Sequence, residues 1–236
     1  VSDDRARVRR EVVSFVRRSA RMNPAQQRAW GAYRDTYVID VARDERTTSV
    51  AQQPPLDAVG IFGRRAPLIV EIGSGTGHAL AAAAAARPDA DHLAFEVFLP
   101  AVASTVGRLA AAGLTNARIV LADGVQGLTH LVAPGSVAEV RIWFPDPWHK
   151  ARHAKRRLIS AEFGDLVGSR LVAGGWLRLA TDWDDYADHV RGVLDGHPAF
   201  ERVDTGRFED RPLTKYESRG RAAGRTITDL AYRRRP

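Results

Sequence analysis

Five carboxylates stand at the ends of short apolar runs in this chain: Glu71, Glu96, Asp123, Asp146 and Asp182. One acid in such a place reads as a solvated loop residue or a helix cap. A series of them beside a glycine loop means something else. Glu71-Ile72-Gly73-Ser74-Gly75-Thr76-Gly77 follows an apolar run and opens an alanine-rich helix, where glycines let a ligand approach the backbone closely. Dinucleotides and S-adenosylmethionine both use such loops. Here the spacing is G-x-G-x-G, His78 stands where a dinucleotide site wants Gly or Ala, and Glu71 would attract a cationic ligand but repel a pyrophosphate. Glu96 follows the loop by about twenty residues, the place where a carboxylate accepts ribose hydroxyls. Asp123 is placed to accept from an adenine amino group. Together these residues favour a nucleoside, and S-adenosylmethionine over a dinucleotide.

Asp146 has a second setting. It lies between Pro145 and Pro147, with Trp148 after it and then the cations Lys150, Arg152, Lys155, Arg156 and Arg157. Prolines fix the local backbone and remove donors, so the loop should be stiff. A stiff acid beside an indole and dense positive charge suits a flat, hydrogen-bonding, polyanionic ligand, and nucleic acid fits. The cations would then meet phosphate. Asp182 is likewise followed by Trp183, and it reads equally well as the N-cap of the next helix or as a group that binds substrate. Guanine presents donors on its Watson–Crick edge, which a carboxylate can accept. The segment Arg211 to Gly220 collects Thr214, Lys215, Tyr216 and Glu217 in one loop, either a surface hairpin loop or a clamp over the strand ends.

The elements that must position these residues alternate from Pro67 onward. Strands are expected at 68–72, 91–96, 117–121, 137–144 and 175–180, with helices after the glycine loop, at 100–112 and at 160–172. Closing strands are expected at 199–203 and 226–232. This alternation predicts an α/β fold, a doubly wound, mostly parallel seven-stranded sheet with ligands at the carboxyl ends of its strands. Residues 1–60 are polar and arginine-rich and are expected to form a basic N-terminal arm, partly helical where Val8, Val12, Phe15 and Val16 recur. Gln52-Gln53-Pro54-Pro55 reads as a flexible connection to a domain over 61–236.

A formal net charge of +7 favours a polyanionic partner. Cysteine is absent, which excludes disulfides and thiolate metal sites. His149 and His153 have no second cluster at ligand spacing, so no metal is expected. No apolar stretch is long enough to span a bilayer, and a soluble, cytoplasmic protein is expected.

At these residues the chain resembles the bacterial tRNA (guanine-N7-)-methyltransferase family. The resemblance runs through 12–27, Glu71 to Gly77, Phe95 to Pro100, Phe144 to Arg157, Ala180 to Tyr186 and Thr214 to Gly220. The proline-bracketed acid with its basic tail and the Thr-Lys-Tyr-Glu loop are its specific marks; the glycine loop adds only the methyltransferase class. The chain departs from the family pattern at Phe98, Ala101, Tyr216 and near Arg225. The resemblance implies a Rossmann-like class I methyltransferase fold, S-adenosylmethionine held around Glu71, Gly73, Gly75, Gly77, Glu96, Asp123 and Asp146, and Asp146 as catalytic. It also implies that Lys150, Asp182, Thr214, Lys215, Tyr216 and Glu217 engage the target guanosine, with Arg152, Lys155, Arg156 and Arg157 on the RNA. The partner would be tRNA and the enzyme a monomer or homodimer. The alternatives are methylation of another RNA position or of a small molecule, and a non-catalytic RNA-binding protein.

Overall fold

The computed structural model describes residues 21–44 and 48–236. The segment with Val8, Val12, Phe15 and Val16 lies outside them. The apolar runs form β1 (Leu68–Ile72), β2 (Asp91–Glu96), β3 (Ala117–Leu121) and β4 (Val137–Trp143). They join β5 (Leu171–Thr181), β6 (Phe200–Val203) and β7 (Thr228–Arg234) in one seven-stranded sheet of order β3-β2-β1-β4-β5-β7-β6. β1 to β5 run parallel, and β7 is antiparallel to both of its neighbours. All five residues of β1 are buried, as a strand covered on both faces requires. Strand order reverses between β1 and β4, so the loops leaving these two strands flank a crevice at the carboxyl edge.

The helices are α1 (Pro24–Tyr37), α2 (Ala58–Phe62), α3 (His78–Ala86), α4 (Leu99–Ala111), α5 (Gly124–Leu131), α6 (Ala161–Arg170), α7 (Asp184–Leu194) and α8 (Lys215–Ala222). Alternate strand residues serve opposite faces. Ala94, Ala117 and Ile119 meet Leu80 of α3, Val102, Val106 and Leu109 of α4, and Tyr37 of α1. Val70, Leu93, Val120, Val140 and Leu177 meet Leu128, Phe163, Val167, Tyr186 and Val190 from α5, α6 and α7. Each large side chain buried this way contributes about 1.5–3 kcal/mol. Over β4, β5 and β7 the first of these faces is closed by an irregular segment, whose Phe208 packs with Trp143, Ala180 and Ala231.

α1 starts from a capping box. Asn23 accepts from the Gln26 amide while the Gln26 side chain accepts from the Asn23 amide, and Pro24 occupies the first turn. Gln26 also donates to the Pro100 carbonyl at 2.8 Å and to Ser104 Oγ at 2.9 Å, which fastens α1 to α4. Val38 then bridges Ile119 beside β3. In the Gln52 to Pro55 stretch, the Gln53 amide donates to the Ala42 and Ala51 carbonyls.

Several boundaries shift by one or more residues from the sequence pattern: β7 starts at Thr228 and not at 226, and β5 starts at Leu171 and not at 175. The helix expected to reach Val172 ends at Arg170, because Leu171 already pairs with Val137. The register then shifts, so that Trp176 pairs with Glu139, and Gly174 takes a φ of 72° in the intervening bulge. A helical pattern cannot reveal that its last apolar residue belongs to a strand.

Candidate active site

The glycine loop leaves β1 and is tied at once to β2. Gly73 donates to the Phe95 carbonyl at 2.8 Å, and the Gly75 amide donates to Glu96 Oε2 at 2.7 Å. Gly73, Gly75 and Gly77 have φ of 73°, 55° and 74°, the left-handed region that favours glycine. A Cβ on Gly73 or Gly75 would stand in open space, whereas one on Gly77 would fall 2.5 Å from the Thr105 methyl. The first two glycines thus leave bare backbone, and the third lets α3 close on α4. Ser74 Oγ is buried and has no hydrogen-bond partner among the described residues. An orphaned polar atom beside bare backbone is what a missing ligand leaves behind. The loop therefore fits a nucleoside-bearing group.

The acids around it differ in what they already hold. Glu96 Oε1 accepts from the Val97 and Phe98 amides at 2.8 and 2.9 Å, so the carboxylate braces the turn and keeps lone pairs for further donors. Asp123 is the N-cap of α5, its Oδ1 accepting from Val125 and Gln126. Glu71 is buried on β1 beside Arg141 of β4 in the sheet register. Burial raises its carboxyl to about 7, Arg141 opposing the rise and Glu96 adding to it. Glu71 at the foot of a ligand crevice would gain from a cationic neighbour.

Asp146 lies just past β4, across the crevice from the glycine loop. It is exposed, and its carboxylate accepts no hydrogen bond among the described residues. Two bulky residues around it, Phe144 and Trp148, have φ of 53° and 44°. Non-glycine residues rarely adopt that region, and each persists only where its surroundings over-determine it. Those surroundings are identifiable. The Phe144 amide donates to the Ala180 carbonyl at 2.7 Å, and its ring stacks on Tyr216 at 6.4 Å. Arg156 lies over the Trp148 ring at 5.0 Å, and Arg157 donates to the Pro147 carbonyl at 3.0 Å.

The basic tract follows as a short 3-10 helix (Ala151–Arg156). Lys150, Arg152, Lys155 and Arg156 are exposed. Arg157 is turned inward: its guanidinium pairs with Asp185 at the start of α7 and lies over Tyr186 at 5.5 Å. Asp182 is not the N-cap of α7, which is Trp183. Instead its Oδ2 pairs with Arg225 at 2.8 Å.

The Thr-Lys-Tyr-Glu segment divides in the same way. Thr214 caps α8 by accepting from the Glu217 amide at 3.1 Å. Lys215 and Tyr216 are exposed beside it. Glu217 is fully buried among Arg207, Arg211 and Arg221. Burial alone would push its carboxyl up, but the hydrogen bond from Arg207 and the charge of Arg211 hold it below the ordinary range. Arg211 also pairs with Asp229 of β7 at 2.8 Å and lies over Phe144 at 5.4 Å, so the α8 segment and the Asp146 loop share one anchor. Arg207, Arg211, Arg221 and Arg225 were not legible as site residues, because their partners are set by three-dimensional proximity and no spacing marks them.

No group of three or more His, Asp or Glu able to hold a metal occurs among the described residues. No described helix is long and apolar enough to cross a membrane.

Comparison with known proteins gives the family. A family described as "Putative methyltransferase" matches residues 65–230. A tRNA (guanine-N(7)-)-methyltransferase of Cutibacterium acnes is 53% identical, covering 97% of this chain and 85% of its own. One of Sodalis glossinidius is 40% identical over 98% of this chain and 94% of its own. Among solved structures, the 16S rRNA methyltransferase KamB superposes with a TM-score of 0.58 at 14% identity, covering 78% of this chain and 96% of that one, a likeness of fold alone. With identity of this order across nearly its whole length, the chain belongs to the tRNA (guanine-N(7)-)-methyltransferase family.

Proposed function

We propose that the protein transfers a methyl group from S-adenosylmethionine to N7 of a guanosine in tRNA. The family relationship supports the reaction, and one observation supports its location. Asp146, an exposed carboxylate with no hydrogen bond of its own among the described residues, stands across the strand-order reversal from a bare glycine loop. The loop, with Glu71, Glu96 and Asp123 around it, would hold S-adenosylmethionine, which when bound supplies a methyl group already activated on a sulfonium. The work left to the protein is placement. Guanine N7 carries a free lone pair at neutral pH, so no group need remove a proton from it. Asp146 and Asp182 then act as acceptors for the guanine edge and fix the angle at which N7 faces the methyl. Lys150, Lys215 and Tyr216 contact the target nucleoside, and Arg152, Lys155 and Arg156 meet phosphates. Arg157 and Glu217 serve by holding the two substrate loops in shape. The target is the guanosine of the variable loop, and the enzyme works in the cytoplasm as a monomer or homodimer.

Incubation with unmodified tRNA and labelled cofactor, followed by nucleoside analysis, tests the reading; 7-methylguanosine is the expected product. Asp146→Asn should lower turnover about 10²-fold, the scale for a misplaced reacting group, with cofactor affinity retained. Methylated adenosine or cytidine without methylguanosine would sink the substrate assignment. Wild-type turnover by Asp146→Asn would remove Asp146 from the mechanism.

A further inference from the structure

Asp182 is held in an unequal way. Arg225 Nε donates to its Oδ2 at 2.8 Å, and Nη2 of the same guanidinium lies 2.8 Å from that oxygen as an ion pair. Oδ1 accepts no hydrogen bond among the described residues. The side chain as a whole is 20% exposed. Ordinary aspartates have a broad, two-fold distribution about their last torsion, and the two oxygens exchange freely. A guanidinium that donates to one oxygen and sets its second nitrogen against the same oxygen removes that freedom.

The grip is itself anchored. Arg225 follows the last turn of α8, and its amide donates to the Gly220 carbonyl at 2.9 Å. A Cβ on Gly220 would lie 2.8 Å from Asp182 Cβ, so only a glycine lets α8 come this close to the carboxyl end of β5. At its other end α8 carries Tyr216 onto Phe144, beside Asp146. One helix therefore touches both acidic loops.

We propose that Arg225 is a positioning residue: it holds Asp182 by one oxygen and so presents the other, in a fixed direction, to an N–H of the guanine edge. An acceptor-only group matches guanine, which offers two adjacent N–H donors on its Watson–Crick edge, better than adenine, which offers one amino donor beside an acceptor ring nitrogen. The inference rests on the reading of Asp182 as a base-edge acceptor. Arg225 needs no contact with substrate or cofactor; it acts through Asp182.

A double-mutant cycle on the full chain tests it, with kcat and KM measured on unmodified tRNA for Arg225→Gln, Asp182→Asn and the pair. Because Arg225 acts only through Asp182, the pair should be no slower than Asp182→Asn alone. Arg225→Gln should lower kcat/KM about tenfold, the scale of one charge-assisted hydrogen bond. Arg225→Lys, which keeps the charge but not the guanidinium that sets two nitrogens on one oxygen, should recover part of the loss. S-adenosylmethionine affinity by calorimetry should be unchanged in all four proteins, which also shows that they fold. Costs that add in the pair would mean that Arg225 merely latches α8, and would overturn the inference while leaving Asp182 in place. Wild-type kinetics for Arg225→Gln would do the same. Wild-type kinetics for Asp182→Asn would remove the base-edge reading itself, and this inference with it.

Discussion

The two sides of the crevice are built from different materials. On the β1–β2 side the site is backbone: glycines with left-handed φ, and a carboxylate, Glu96, that takes three main-chain amides. On the β4–β5 side it is side chains: Asp146 and Asp182 stand on loops held by Arg157–Asp185, Arg225–Asp182 and the arginines around Glu217. Backbone donors are short and local, so the first side is set within one strand–loop–helix unit. Ion pairs between distant residues set the second, and they can be re-formed in another geometry. A rigid cradle suits a ligand that is the same in every turnover, and a loop-built wall suits docking of a large polyanion.

The largest effect that would expose this contrast is expected at Glu217. Its carboxylate is fully buried and meets three guanidiniums. Glu217→Ala leaves Arg211 buried with only Asp229 as a partner. Removing one member of a buried pair costs about 3–5 kcal/mol. The lower end applies, because Asp229 remains. Urea unfolding should show the loss, and kcat/KM on tRNA should fall far more than S-adenosylmethionine affinity. If cofactor affinity fell as far, the two walls would not be separately built.

The contrast also explains what could be read from the chain alone. β1 to β4 were legible because apolar runs ending in an acid or glycine are local signals, and the glycine spacing placed the cradle. That Asp146 stands in an exposed loop past β4 was legible for the same reason, through its flanking prolines. The ion pairs of Arg157 and Glu217 were not, since a residue in a basic tract or polar loop shows its partner only in three dimensions. Arg157 meets Asp185 and Glu217 meets Arg207, and no periodicity links either pair. Asp182 shows the limit most plainly. The sequence offered cap or substrate ligand, and the structure adds a third condition, an ion pair with Arg225.

Glu71 probes the boundary between the two sides, since it lies on β1 beside Arg141 of β4. Burial lifts its carboxyl to about 7 from an ordinary 4.5, with Arg141 pulling down and Glu96 pushing up. The folded chain therefore keeps a proton that the unfolded chain releases at lower pH. This stabilising share is complete below the unfolded value and is lost as pH rises through about 7. A shift of this size corresponds to roughly 3 kcal/mol. Unfolding free energy should thus decline across that window, and Glu71→Gln should flatten the decline. An unchanged slope in the variant would show that Arg141 neutralises Glu71 and that the two sides share charge.

The smallest effect separates two glycines of one loop. Gly73→Ala and Gly77→Ala each force an L residue into the left-handed region, at about 1–2 kcal/mol. Only at Gly77 does the new Cβ also strike Thr105, whose single hydroxyl proton is shared between the Gly75 and Ala101 carbonyls. Overpacking of that kind adds roughly 1–3 kcal/mol, so Gly77→Ala should melt lower than Gly73→Ala. Cofactor affinity should run the other way relative to stability. The Gly73 Cβ meets no protein atom and occupies only the space open to a ligand. Calorimetry with S-adenosylmethionine should therefore find Gly73→Ala weakened more than its modest stability loss explains. Equal affinities for Gly73→Ala and the native chain would mean that the bare backbone at Gly73 faces water, and the cradle would shrink to Gly75 and the acids.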